Sequence, residues 1–149
     1  MQDLKELYQE VILDHNRHPR NFNCMPDATC EANGHNPLCG DKLKVYVKLA
    51  NNNIQDLSFE GKGCAISQAS ASIMTEVVKG MHVTDAKALF QQVHELLTSD
   101  TFDAKTIVNL KLQVLAGVRA YPARVKCASL AWHTLIAAIN QDATAAKTE

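Results

Sequence analysis

The chain opens on an apolar stripe at helical spacing. Leu4, Leu7, Tyr8, Val11 and Ile12 recur every three or four positions, with Lys5, Glu6, Gln9 and Glu10 between them. This pattern predicts an amphipathic helix over residues 3–18, ended by Pro19. Residues 19–38 are rich in Pro, Asn and Asp, which predicts loop with a short strand near residues 29–33. The period then changes to two. Leu43, Val45, Val47 and Leu49 alternate with Lys42, Lys44, Tyr46 and Lys48, the mark of a half-buried strand over residues 42–50. A turn at Asn51, Asn52 and Asn53 leads into a second alternating run over 54–60 through Leu57 and Phe59, so the two strands form a hairpin.

After Gly61 and Gly63 the pattern becomes helical. Ile66, Ala69, Ile73, Val77 and Val78 predict a helix over 65–79 with Gly80 as its C-cap. Leu89, Val93, Leu96 and Leu97 predict another over 84–98, with Thr84 as N-cap. Residues 104–118 carry a weaker helical pattern. Tyr121 and Pro122 break the chain, and Leu130, Ala131, Leu135, Ala138 and Ile139 predict a last helix over 127–140. The tail from about residue 141 is short and polar and is expected to fray. Strands early and helices late give an α+β fold: a small antiparallel sheet of about three strands with helices packed on it, in one domain over residues 1–149.

Composition narrows the function classes. Hydrophobic residues are 46% and charged residues 21% of the 149, enough for a core of ordinary size. A formal net charge of -1 gives no basic surplus for nucleic acid. No apolar run approaches the roughly 18 residues of a membrane helix, so no membrane partner is expected. The N-terminal residues lack the apolar core of a signal peptide, and the chain is read as cytoplasmic, where thiols stay reduced. The odd set Cys24, Cys30, Cys39, Cys64 and Cys127 then argues against a closed disulfide framework.

Three cysteines stand at junctions. Cys39 and Asp41 flank Gly40 before the first long strand; two residues apart on extended backbone, they point to the same side. A thiolate beside a carboxylate repels it unless a cation lies between them, and Gly40 would let the backbone approach that cation. Cys64 stands at a predicted helix start, where backbone N–H groups favour the thiolate, and is followed by the small residues Ala65, Ser67, Ala69, Ser70, Ala71 and Ser72. Cys127 opens the last helix, with Arg124 and Lys126 just before it to offset negative charge. Spacing alone leaves two readings open, metal ligands or small core residues. The three cysteines lie 25 and 63 residues apart with no CxxC pair. Cys24 and Cys30 read as small core residues. The six histidines read as surface or capping residues, because no paired metal-ligand spacing joins them.

The stretches NPLCGD at 36–41, GKGCAISQASAS at 61–72 and PARVKCASLAW at 122–132 closely resemble the U-type iron–sulfur scaffold family, which includes IscU, SufU and the N-terminal domain of NifU. The resemblance runs from about residue 3 to 140 and implies an IscU/SufU-like fold with Cys39, Asp41, Cys64 and Cys127 as ligands. Two features look like the SufU branch: Lys126 stands where IscU-type members have histidine, and residues 84–118 contain material that IscU-like proteins lack. That branch implies bound zinc and sulfur transfer from a SufS-type cysteine desulfurase to the SUF assembly machinery. Among the three cysteines Cys39 is the expected sulfur acceptor, because it lies in a turn between Pro37 and Gly40 while Cys64 and Cys127 stand at helix starts, and Arg124 is expected to support it. The chain would thus be a zinc-dependent sulfurtransferase. The alternative is a non-enzymatic scaffold holding a transient [2Fe–2S] cluster on the same residues, and a third reading is a structural zinc module. The Leu-Pro-Pro-Val-Lys chaperone site of IscU is represented only by residues 121–126, so the resemblance does not extend to a dedicated Hsp70.

Overall fold

The computed structural model describes residues 4–140 and 146–147. Helix α1 spans Leu4–Arg17. Strands β1 (Cys30–Asn36), β2 (Asp41–Ala50) and β3 (Asn53–Lys62) follow, then α2 (Ala65–Val78), α3 (Val83–Thr98), α4 (Leu110–Leu115) and α5 (Val125–Ile139). β1, β2 and β3 form the expected antiparallel sheet. The two-residue strand β4 (Ala146–Lys147) adds a parallel edge beside Gly34 and His35, giving the order β3-β2-β1-β4. The rest of the tail expected to fray lies outside the described residues.

The period-two pattern decides which face of the sheet is covered. Leu43, Val45 and Val47 of β2, with Leu57 and Phe59 of β3, turn inward and are buried under the helices. α5 crosses β1 and β2 and packs on α2, which in turn carries α1. The small residues of α2 permit this approach. Ser70 Oγ donates to the Ala128 carbonyl of α5 at 2.6 Å and accepts from Trp132 Nε1 at 3.2 Å. Ala69, Ala71 and Trp132 are buried in one continuous core.

Local chemistry corrects several sequence expectations. α3 is capped by His82 rather than Thr84; His82 Nδ1 accepts the Thr84 N–H at 3.1 Å. Residues 104–118 do not form one helix. Asp103 and Asn109 side chains accept backbone N–H groups of Lys105 and Leu112, and such local bonds compete with a continuous helical ladder. A 3-10 turn at Ala104–Thr106, the short α4 and a second 3-10 stretch at Ala116–Ala120 result. Tyr46, assigned to the outer face, does point outward yet is buried, its hydroxyl bonded to Glu60 with Cys24 alongside. Cys24 itself is exposed, not a core residue, while Cys30 is buried as expected.

The largest departure is His15, read as a surface or capping residue and found fully buried. Its Nδ1 lies 2.7 Å from Ser72 Oγ, its Nε2 lies 2.9 Å from Lys111 Nζ, and Glu76 stands 3.6 Å away. Burial, then the Lys111 and Arg20 charges, push His15 down from 6.5 to about 4. Between those values the unfolded chain binds a proton that the folded chain refuses. Stability should therefore be full above about pH 6.5 and fall as the pH drops towards 4, by up to roughly 3 kcal/mol. Urea titrations at pH 7 and pH 4.5 should show this loss in the wild type. His15→Gln should be weaker at pH 7 and distinctly flatter between the two; parallel pH profiles would remove His15 from the account.

Candidate metal centre

The site grows from the turn between β1 and β2. Asn36, buried at the end of β1, closes it twice: its carbonyl accepts the Gly40 N–H at 2.9 Å, and its Oδ1 accepts the Leu38 N–H at 3.2 Å. Gly40 adopts φ +74°, the left-handed region in which glycine is favoured, and a Cβ there would meet no atom within 4 Å. Conformation, not crowding within the protein, is what requires glycine at this position. The turn leaves Cys39 exposed and delivers Asp41, the first residue of β2, into the interior at 1% exposure.

Two helix starts meet this turn. Cys64 is the N-cap of α2; its sulfur accepts the Ser67 N–H at 3.4 Å, and its own N–H donates to Asp41 Oδ1 at 2.8 Å. Gly63 makes room for that carboxylate, since a Cβ there would stand 3.0 Å from Asp41 Oδ1 and 3.1 Å from Ser67. Cys127 is the third residue of α5 rather than its first, fully buried, with Asn36 Nδ2 at 3.5 Å and the Cys39 sulfur at 3.2 Å.

Donor atoms of Cys39, Asp41 and Cys127 all lie within 4.8 Å of one another. Cys64 falls outside that group of three, at its border, close enough for its sulfur to help push the Cys127 thiol up. Burial is the larger cause of that shift, followed by the hydrogen bonds that the Cys127 thiol donates to Cys39 and Asp41. Such a cluster can shed its protons only if a cation compensates it. Asp41 Oδ2 is buried and has no hydrogen-bond partner among the described residues. A buried carboxylate with one orphaned oxygen, grouped with two thiols, is what a soft or borderline cation such as zinc or iron would satisfy, so the donor set fits a metal. Arg124, exposed on the 3-10 turn Pro122–Arg124, places Nη1 3.7 Å from the Cys39 sulfur, and the three sulfurs, Cys127 foremost, hold its guanidinium above the usual value.

Residues 7–142 match the family described as NifU-like N terminal domain. The chain belongs to that family. The family serves iron–sulfur cluster assembly as scaffold proteins. This NifU-like domain is 36% identical over 133 residues to the zinc-dependent sulfurtransferase SufU of Bacillus subtilis, covering 89% of each chain. It is 37% identical over 137 residues to the iron–sulfur cluster assembly scaffold protein IscU of Thermotoga maritima, covering 92% of this chain and 95% of the relative. The crystal structure of the putative SUF-system scaffold SufU of Fervidobacterium islandicum superposes with a TM-score of 0.80 at 32% identity, over 87% of this chain and 94% of that one. The α+β fold anticipated for an IscU/SufU-like protein is thus the observed one.

Two residues of the centre in this NifU-like domain carried no separate role in the sequence reading. Asn36 shapes the turn and touches Cys127, and Gly63 admits the Asp41 carboxylate. An Asn three residues before a cysteine in a Pro-Gly turn is a readable signal for Asn36, because Asn side chains bond backbone N–H groups two residues on. Gly63→Ala should displace Asp41 and weaken zinc binding to metal-free protein about tenfold or more, measured by competition with a chromophoric chelator. Unchanged affinity would show that this close approach does not set the carboxylate.

Proposed function

We propose that this domain carries zinc on Cys39, Asp41, Cys64 and Cys127, and that Cys39 accepts sulfur from a SufS-type cysteine desulfurase for delivery to the SUF assembly machinery. The observation that carries this reading is the unequal access to the three sulfurs. Cys39 is exposed, Cys64 is half-buried as a helix cap, and Cys127 is fully buried. A donor protein meets Cys39 first. Zinc, when bound, would hold the thiols as thiolates and offset their mutual repulsion.

The transfer follows from the chain's own groups. The Cys39 thiolate attacks the outer sulfur of a donor persulfide; a sulfur–sulfur bond forms at Cys39, the donor's own sulfur–sulfur bond breaks, and its electron pair leaves on the donor cysteine as thiolate. Arg124, with Nη1 3.7 Å from the Cys39 sulfur, sets a positive charge beside the sulfur that would carry the anionic persulfide after transfer. The Cys39 turn can shift without moving a packed helix, whereas Cys64 and Cys127 are fixed to α2 and α5. All five cysteines are free, consistent with work in the reducing cytoplasm.

A second reading, a scaffold for a transient [2Fe–2S] cluster, draws on the same soft donor set and on relatives named IscU. The exposed Cys39 weighs against a closed structural zinc module. Elemental analysis of protein purified without oxygen separates the two main readings: one zinc per chain and no visible charge-transfer bands for the carrier, stoichiometric iron with colour for the scaffold. Chelation of the zinc protein should lower Tm, since a ligand bound only by the native state stabilises it.

Incubation with desulfurase and cysteine, followed by peptide mass spectrometry, should find the added sulfur on Cys39. Cys39→Ala should lose both the adduct and the stimulation of desulfurase turnover. An adduct mainly on Cys64 or Cys127 would overturn the assignment, as would full stimulation by the variant.

A further inference from the structure

The outer face of the sheet carries a charge arrangement that the metal centre does not use. The register sets His35 opposite Lys42 and Lys42 opposite Lys62, so three basic side chains lie in one row across β1, β2 and β3. Like charges directly opposed across strands destabilise a sheet. Elsewhere on this face the lysines are paired: Lys44 with Glu31 at 3.4 Å and Lys48 with Asp27 at 2.7 Å. Lys42 and Lys62, both exposed, make no ion pair among the described residues. They border a hollow of about 810 Å³ whose wall includes the ring of Phe22, 44% exposed and packed edge-on against Phe59. The row lies at the strand ends that flank the Cys39 turn, on the side of the sheet away from the buried Asp41.

We infer that this row is a docking surface for an acidic segment of a protein partner, two carboxylates meeting Lys42 and Lys62 and a neighbouring apolar side chain covering Phe22. Charge complementarity carries the choice of occupant. The unpaired cationic strip is one row wide, enough for two carboxylates; in the next row Lys44 is tied to Glu31 and Glu60 to Tyr46, which leaves no free cations for a polyphosphate backbone that ran further along the face. A partner held here straddles the hairpin whose tip is Cys39 while leaving the Cys39 and Arg124 side open to a second protein. The surface is independent of the sulfur-acceptor reading and survives its failure.

Lys62→Glu is the informative variant. It places a carboxylate opposite Lys42, so Tm should hold or rise and zinc content should not change, while the acidic partner is repelled. The probe is an acetylated peptide with the sequence Glu-Asp-Phe-Asp-Glu, titrated into ¹⁵N-labelled protein at low salt. Amide shifts should centre on His35, Lys42, Lys62 and Phe22. They should vanish at high salt, and affinity should fall tenfold or more in Lys62→Glu. Shifts centred on Arg124 and Lys126 instead, or equal affinity in the variant, would overturn the proposal. Tighter binding of a single-stranded oligonucleotide at the same residues would overturn the choice of a protein partner.

Discussion

The Asp41 carboxylate is almost fully withdrawn from water, and a buried charge is tolerated only when it is bonded and compensated. One oxygen takes the Cys64 N–H at 2.8 Å; the other has no partner among the described residues. Much of the local architecture follows from that requirement. β2 must begin where β1 ends, so that Asn36 and Asp41 pair at the mouth of the hairpin. α2 must begin at the same height, with a residue at position 63 small enough for the carboxylate to pass. The sulfurs of Cys39 and Cys127 stand within 4.8 Å of this carboxylate and of one another, an arrangement that a cation would complete.

Packing makes two sides of this centre stiff and one side soft. α2 and α5 are locked together by the Ser70, Ala128 and Trp132 contacts, so the sulfurs of Cys64 and Cys127 move only if two helices move. The third side is a turn closed by backbone and Asn36 hydrogen bonds, with exposed Leu38 and Cys39 at its tip. In the proposed carrier this inequality would let the two packed helices hold the ion while Cys39 stays accessible to a donor.

Much of this was legible in the sequence because its signals are local. Period-two alternation located β2 and β3, and the apolar repeats located α2, α3 and α5 to within two residues. Junction positions singled out Cys39, Asp41, Cys64 and Cys127 and the family resemblance made them ligands; the structure brings the donor atoms of Cys39, Asp41 and Cys127 together and leaves Cys64 outside that group. What escaped was set by distant partners. His15 looks like a polar residue near the end of a surface helix, and its burial depends on Ser72 and Lys111, which are 57 and 96 residues away. Cys24 was assigned to the core by residue type, but its loop leaves it outside, beside Tyr46. Residues 104–118 have enough apolar spacing for a helix, but the side chains of Asp103 and Asn109 cap separate short elements within that stretch.

The segment between residues 84 and 118 is tied to the centre by a chain of contacts. Arg119, just beyond it, holds the carbonyls of Leu96 and Phe102 at 2.6 and 3.0 Å, closing the segment on itself. From α4, Lys111 reaches both His15 of α1 and Glu76 of α2. α1 in turn sets the Tyr8 ring against Gly117, where a Cβ would stand only 2.7 Å away, and stacks it on Tyr121 at 6.4 Å. Tyr121 opens the 3-10 turn that ends in Arg124, the guanidinium beside Cys39. Burial, with smaller contributions from Tyr121 and Cys64, pushes the Tyr8 phenol up to about 12, so the ring serves as a neutral, rigid spacer in that chain. A segment remote from the donor atoms thereby packs, through Tyr8 and Tyr121, against the turn whose Arg124 guanidinium lies beside the accessible sulfur. Among the described residues, its link to the centre runs through this packing and not through a ligand of its own.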